Sequence, residues 1–151
     1  MKVKFAEADI FSSLTELVDK QDQKTLAVWA ADCAEHVLLN FTKNCPDDER
    51  PKLAIEAARQ WVKCELSMSD ARSAAFNAHA AARKLEAETA AFAARAAGHA
   101  AATAHVAEHA LHASTYAVKS VFYAAPKESA LYAVNEEREW QYQHLLELIN
   151  N

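Results

Sequence analysis

ARSAAFNAHAAARKLEAETAAFAARAAGHAAATAHVAEHALHA, residues 71–113, decides the fold, because 21 of its 43 residues are alanine. Alanine is the strongest helix former, and the segment holds neither a proline nor a run of β-branched residues. Charged and aromatic residues punctuate the alanines, a pattern that is not typical of disordered low-complexity sequence. The segment therefore predicts helices that approach one another closely through small side chains.

The rest of the chain also carries helix signals at regular intervals. Apolar residues recur at spacings of three and four after Asp22, which is a suitable N-cap, and Pro51 is tolerated in a first helical turn. Ser67 or Ser69 starts the next helix, and Pro126 begins the last one. The chain is thus predicted to be helical on both sides of the alanine-rich segment.

Together these signals predict an all-α single domain over residues 1–151. About six antiparallel helices are expected, in an alanine-rich bundle or a short stack of helical hairpins. Glu88 or Thr89 can start a helix after a break, and Gly98 marks either a second break or a close backbone approach. The exact breaks between residues 85 and 105 stay open.

Two finer predictions concern which side chains are buried. The charged run 136–139 (EERE) is predicted to lie on the outer side of the last helix. The apolar stripe of the helix after Pro51 is predicted to consist of Leu53, Ala54, Ala57, Trp61 and Cys64.

Composition narrows the classes of function. The formal net charge is −5, and no basic patch is present to neutralise phosphates, so no nucleic-acid partner is expected. The N-terminus lacks the apolar run of a signal peptide, and no stretch of 18 apolar residues occurs, so no membrane association is expected. Cys33, Cys45 and Cys64 form no CxxC pair, which favours free thiols in the cytoplasm.

Four histidines within residues 99–112 are the first candidates for chemistry. If the helix is continuous, His105, His109 and His112 share one stripe opposite the apolar face, because a helix turns about 100° per residue. His99 then lies about 120° away from His105 and stands apart.

A metal site is one interpretation of these histidines, since imidazoles at helical spacing can supply two zinc ligands. However, Glu108 precedes the second histidine instead of following the first, so the zincin pattern fails. No resident metal or other cofactor is therefore predicted. The weak candidates for an adventitious divalent ion are His79, His105, His109 and His112.

No catalytic motif is recognisable, and with one glycine a phosphate-cradling loop is all but excluded. Arginines on alanine-rich helices either pair with a carboxylate between helices or line a recognition surface. The candidates for a partner-binding surface or groove are Asp32, Arg59, Arg83, Arg95, His99 and Tyr116.

Several stretches together resemble a known family: LAVWAADCAEHVL (26–38), PDDERPKLAIEAARQW (46–61), ARSAAFNAHAAAR (71–83) and ARAAGHAAATAHVAEHALHASTYAVKSV (94–121). They are similar to the immunity proteins of the family-five-like type, small all-helical proteins found near polymorphic toxins of bacteria. The resemblance covers roughly residues 20–125. It includes Trp29, Asp32, Arg50, Arg59, Trp61, His79, Arg83, Arg95, His99, His105, His109 and Tyr116.

The resemblance implies a cytoplasmic, non-enzymatic protein that binds a cognate toxin stoichiometrically and blocks it. Two other hypotheses come from the residues themselves. One is a histidine-based metal-binding protein or metal-dependent enzyme built around His79, His99, His105 and His109. The other is a helical scaffold or adaptor that forms homo-oligomers through alanine seams.

Overall fold

A computed structural model describes residues 3–151, and these residues form an all-α structure without a β-strand. Eight α-helices follow in chain order, and a 3₁₀ turn at Lys127–Ser129 precedes the last of them. They are α1 (Phe11–Asp19), α2 (Gln23–Val37), α3 (Leu39–Thr42), α4 (Arg50–Val62), α5 (Met68–Arg83), α6 (Glu88–Ala102), α7 (His109–Ala124) and α8 (Ala130–Ile149). No helix in the described range combines the length and apolar character that crossing a bilayer requires.

The all-α prediction is confirmed, but the predicted number of about six helices is wrong. The apolar residues after Asp22 keep their helical spacing beyond Val37 to Phe41, but the helix breaks at Leu38 into α2 and the single turn α3. The second additional break lies between Ala102 and His109, where six residues turn the chain from α6 into α7. Neither break contains a glycine or a proline, so neither carries the usual local signal.

The predicted starts at Asp22, Ser67 and Pro51 agree with the local chemistry, but the start at Pro126 is wrong, because Pro126 precedes a 3₁₀ turn and the last α-helix begins at Ala130. Asp22 Oδ1 accepts a hydrogen bond from the Thr25 amide at 2.7 Å and caps α2. Ser67 caps α5, because its Oγ accepts from the Asp70 amide at 3.0 Å. Pro51 lies in the first turn of α4, where an amide proton would have no partner in the helix.

The central element is α6, which packs against α2, α3, α4, α5 and α7. Its buried side chains are almost all methyl groups, which lets the surrounding helices approach closely: Ala90, Ala93, Ala94, Ala96, Ala97, Ala100 and Ala101. Larger groups such as Trp29, Phe41 and Leu145 fill the space where α2, α3 and α8 meet this layer. The alanine-rich segment thus forms the middle of the bundle, as its composition predicts.

The register of α4 differs from the predicted stripe. Leu53 is 51% exposed and Cys64 is exposed, whereas Ile55 is buried in the core. Cys64 lies just after α4 with φ of 62°, a left-handed backbone conformation that is uncommon for a residue with a side chain. The helix has therefore ended before Cys64, and Cys64 is not part of its apolar face.

The charged run on α8 was predicted to lie outside, and this is wrong for two of its four residues. Arg138 is fully buried, and Glu137 is only 8% exposed. Arg138 donates two hydrogen bonds of 2.9 Å to the Glu7 carboxylate and further bonds to Ser114, Thr115 and Gln141. A buried guanidinium is tolerated because each of these bonds replaces one to water. Arg138 thereby ties the segment before α1 to α7 and α8.

Candidate functional site

The break between α6 and α7 rearranges the histidines of residues 99–112. His105 lies in the connecting turn and is exposed, while His99 is in the last turns of α6 and His109 begins α7. The predicted continuous stripe of His105, His109 and His112 is therefore wrong, as is the isolation of His99. Because the chain reverses between the two helices, His99 meets His109 and His112, and His105 does not join them.

His79 on α5 completes a group of four imidazoles, the histidine cluster (His79, His99, His109 and His112). The ring of His99 is central, with centroid distances of 4.8 Å to His79, 5.1 Å to His109 and 5.4 Å to His112. Tyr116 on α7 stacks on His99 at 5.1 Å with an interplanar angle of 8°. Three helices therefore contribute rings to one array.

One hydrogen bond couples the tautomer of His99 to that of His109. His99 Nδ1 lies 2.9 Å from His109 Nδ1, so one of the two nitrogens carries a proton and the other accepts it. The two neutral rings must hold opposite tautomers. If both rings became imidazolium, two N–H groups would face each other and the bond would be lost.

The space for His79 is created by Gly98, which precedes His99 near the C-terminal end of α6. A Cβ atom at Gly98 would lie 2.7 to 2.9 Å from three atoms of the His79 ring, closer than van der Waals contact allows. Gly98 therefore marks a close approach instead of a helix break, which decides between the two predicted alternatives. His79 Nδ1 is buried and has no hydrogen-bond partner among the described residues.

Burial is the main reason why the pKa values of three histidines in the cluster are lowered. It lowers the pKa of His99 to about 3, with further lowering from His79, His109, His112 and Arg95. Burial also lowers the pKa of His79, to which Arg95 and Arg83 contribute as nearby positive charges. The pKa of His109 is lowered in the same way, and only Glu108 opposes the shift. These three rings are neutral at pH 7.

The arrangement of the rings bears on the metal-binding interpretation of the histidines. Within residues 3–151, no group of three or more histidine, cysteine, aspartate or glutamate side chains is placed to hold an ion. The imidazoles contact each other through stacked, tilted and edge-on faces. This arrangement packs the three neutral imidazoles of His79, His99 and His109 together with the ring of His112.

Asp32 and Arg59, two of the predicted groove residues, lie in a second polar group. Asp32 Oδ1 accepts a hydrogen bond from Arg59 Nη1 at 2.7 Å, and Asp32 Oδ2 lies 2.7 Å from His144 Nε2. Arg59 Nη2 also pairs with Glu35. One carboxylate on α2 thus joins α4 to α8, and the guanidinium bridges two acidic residues of α2.

Stacked rings form the other wall of this group. His36 stacks on Trp140 with centroids 3.7 Å apart, and Trp140 stacks on His144 at 4.9 Å. His36 Nδ1 lies 2.6 Å from Glu137 Oε2, and burial raises the pKa of Glu137 while this hydrogen bond opposes the rise. Five of these side chains line an open groove of about 460 Å³, here named the carboxylate groove. They are Asp32, Glu35, His36, Trp140 and His144.

The six predicted groove residues thus divide between two places. Asp32 and Arg59 are in direct contact at the carboxylate groove, whereas His99, Tyr116, Arg83 and Arg95 lie in or beside the histidine cluster. The sequence interpretation missed Glu137 and His144. The spacing of Trp140 and His144, four residues apart on α8, was the only local sign of this site. It is a weak sign, because the sequence does not show that α2 packs against α8 at this point.

Comparison with protein-family models finds a match that spans residues 16–148. The matching model is described as "Imm-5 like putative immunity protein". The chain belongs to this family. The resemblance drawn from residues 20–125 is confirmed, and the match extends it through most of α8, including both walls of the carboxylate groove. Comparisons of this Imm-5 like chain with curated proteins and with solved structures gave no significant match.

Proposed function

We propose that this Imm-5 like protein neutralises a cognate bacterial toxin by stoichiometric binding, and that steric occlusion of the toxin is the mechanism. The observation that carries the proposal is the family match over residues 16–148. This range contains α2 to α7 in full, nearly all of α8 and the end of α1. The partner is a protein, and no cofactor takes part.

The packing of the bundle supports inhibition by a preformed surface. The helices around α6 contact one another through alanine methyl groups, which have no rotamers to reorder when a partner binds. The polar side chains of the carboxylate groove are already held by bonds within the protein. A surface of this kind loses little conformational entropy on association, which favours affinity.

A role without catalysis agrees with the state of the central cysteine. Cys33 is fully buried on α2, and burial, together with Glu137, raises its pKa. Its thiol stays protonated at neutral pH and is therefore a poor nucleophile. Cys33, Cys45 and Cys64 are all free thiols, which supports the proposed location in the reducing cytoplasm.

Co-expression with the toxin encoded by the neighbouring reading frame tests the proposal. We expect growth of bacteria that produce the toxin to be restored by this protein, and light scattering of the purified mixture to show one complex of defined stoichiometry. Light scattering of the protein alone supplies the reference mass and tests the scaffold hypothesis at the same time. Growth arrest despite co-expression, with no complex in solution, would contradict the proposal.

A further inference from the structure

We propose that the carboxylate groove is the surface on which the toxin docks, and that its occupant is a basic segment of the toxin carrying an arginine side chain. This inference rests on the proposed function and adds to it the binding surface and the chemistry of the partner. It is carried by the arrangement of charges and rings between α2, α4 and α8.

The first step is the charge of the groove. Asp32 and Glu35 line it and pair with Arg59, and the carboxylate of Glu147 lies beside His144 at its edge. The side chains of Glu35 and Glu147 are 62% and 74% exposed, so their charge faces solvent. By contrast, a second groove of about 550 Å³ beside Phe122 is lined by Lys4 and Lys127 as well as Glu88. Of these two grooves, the carboxylate groove is the one with an excess of negative charge.

The second step is that stability does not account for this network. Arg59 and Asp32 are both partly exposed, and such ion pairs contribute little to the free energy of unfolding because water and salt screen them. Yet the groups are connected across three helices and held in fixed positions by the Asp32–His144 contact and the stacking on Trp140. Fixed charges at a surface are what electrostatic recognition of a partner requires.

The third step identifies the chemistry of the occupant. Arginine binds carboxylates in a bidentate manner and packs its flat guanidinium against aromatic rings. The groove offers both kinds of contact, with the exposed carboxylate of Glu35 and the ring of His36, which is 41% exposed and backed by Trp140. Aromatic and arginine side chains are also the groups that most often dominate protein interfaces. A lysine-rich segment would satisfy the charge but would gain less from the rings.

Charge reversal at the two exposed carboxylates tests the proposal. We compare the double variant Glu35→Lys/Glu147→Lys with a control, Glu16→Lys/Glu86→Lys, which changes the net charge equally at exposed positions on α1 and on the turn before α6. Binding to the toxin from the neighbouring reading frame is measured by calorimetry at two salt concentrations. The groove variant is expected to weaken binding about 100-fold and to lose most of the salt dependence, while the control binds within about threefold of the unmodified protein.

The outcomes separate the two proposals. If the unmodified protein does not bind the toxin, the proposed function fails and this inference fails with it. If it binds and the groove variant binds as well as the control, the groove is not the docking surface and the proposed function stands.

Hydrogen–deuterium exchange of the unmodified complex gives a measurement that is independent of any variant. We expect protection in residues 32–36 of α2 and residues 137–147 of α8. Protection confined to other helices would overturn the inference.

Discussion

The two histidine groups of this protein differ in what surrounds the imidazoles. In the carboxylate groove, His36 and His144 contact Glu137 and Asp32 at 2.6 and 2.7 Å. In the histidine cluster, His99 contacts other rings, and the groups that add to the effect of burial on its pKa are Arg95 and histidines that become positive on protonation. The same side chain is therefore part of an ionic surface in one region and a neutral packing group in the other.

This difference predicts where acid destabilises the protein. The folded-state pKa values of His79, His99 and His109 lie below the ordinary value of 6.5. The unfolded chain then binds more protons than the folded one below pH 6.5, so stability is fully present above that pH and falls as the pH is lowered. For His99, the decline continues towards pH 3.

The largest expected effect is thus the loss of stability between pH 6.5 and 5, a range in which most carboxylates stay ionised. A single fully neutral histidine contributes at most about 1.4 kcal/mol per pH unit, and solvent screening of these partly exposed rings reduces this. Urea unfolding as a function of pH measures the slope. The variant His99→Phe is expected to reduce the slope of stability against pH, because a phenylalanine ring can stack in the same place without taking up a proton.

Phe92→Leu is the control for that experiment, because Phe92 stacks on Tyr116 in the same ring array and does not titrate. We expect it to lower stability by a similar amount at every pH. A slope in His99→Phe equal to that of the unmodified protein would show that the cluster does not sense protons.

The next largest effect concerns the space that Gly98 leaves for His79. Gly98→Ala is expected to destabilise by about 1 kcal/mol, because displacement of the His79 ring outweighs the gain in helix propensity. In a His79→Ala background the same change is expected to stabilise by about 1 kcal/mol, since only the propensity remains. Urea unfolding of the four proteins measures this coupling. Equal effects of Gly98→Ala in both backgrounds would mean that the ring moves aside at no cost.

Much of the fold follows from local sequence signals, and the errors have local causes too. Alanine content, the Asp22 and Ser67 caps and Pro51 identify helices that the structure contains. The turn at residues 103–108 has no glycine or proline, and its sequence (TAHVAE) continues the composition of the helices on both sides. Only the packing of α6 against α7 distinguishes it from a helix.

That one missed turn determines how well the site was predicted. In a continuous helix, His99 and His109 lie about 80° apart around the axis and about 15 Å apart along it, whereas the reversal brings the ring centroids to 5.1 Å. The pair formed by Asp32 and Arg59 could be predicted from the sequence, because arginine on an apolar helix needs a carboxylate partner. The burial of Arg138 could not be predicted in this way, because its partner Glu7 is 131 positions away in the sequence.

A smaller effect is expected when the ionic network of the groove is weakened. Asp32→Asn should lower the free energy of unfolding by less than about 1 kcal/mol at pH 7, because the ion pair is partly exposed. Asp48→Asn is a matched control, since Asp48 pairs with Arg50 at 2.7 Å with similar exposure outside the groove. Urea unfolding compares the two. A loss above about 2 kcal/mol in Asp32→Asn alone would make the groove a structural element and weaken the case for a docking surface.

The smallest effect is expected from metal ions. His79, His99 and His109 are neutral imidazoles, the form that binds zinc, but the rings of the cluster stack on one another, and within residues 3–151 no group of three ligand side chains is placed to hold an ion. Chelation with EDTA should leave the melting temperature unchanged, and an equimolar addition of zinc should shift it by less than about 1 °C, because a ligand stabilises only in proportion to its occupancy. Thermal unfolding with and without each reagent measures this. A zinc-dependent rise of several degrees that disappears in His99→Phe but persists in His144→Gln would show that the cluster rearranges around an ion, and that the two histidine groups differ in metal binding as well as in charge.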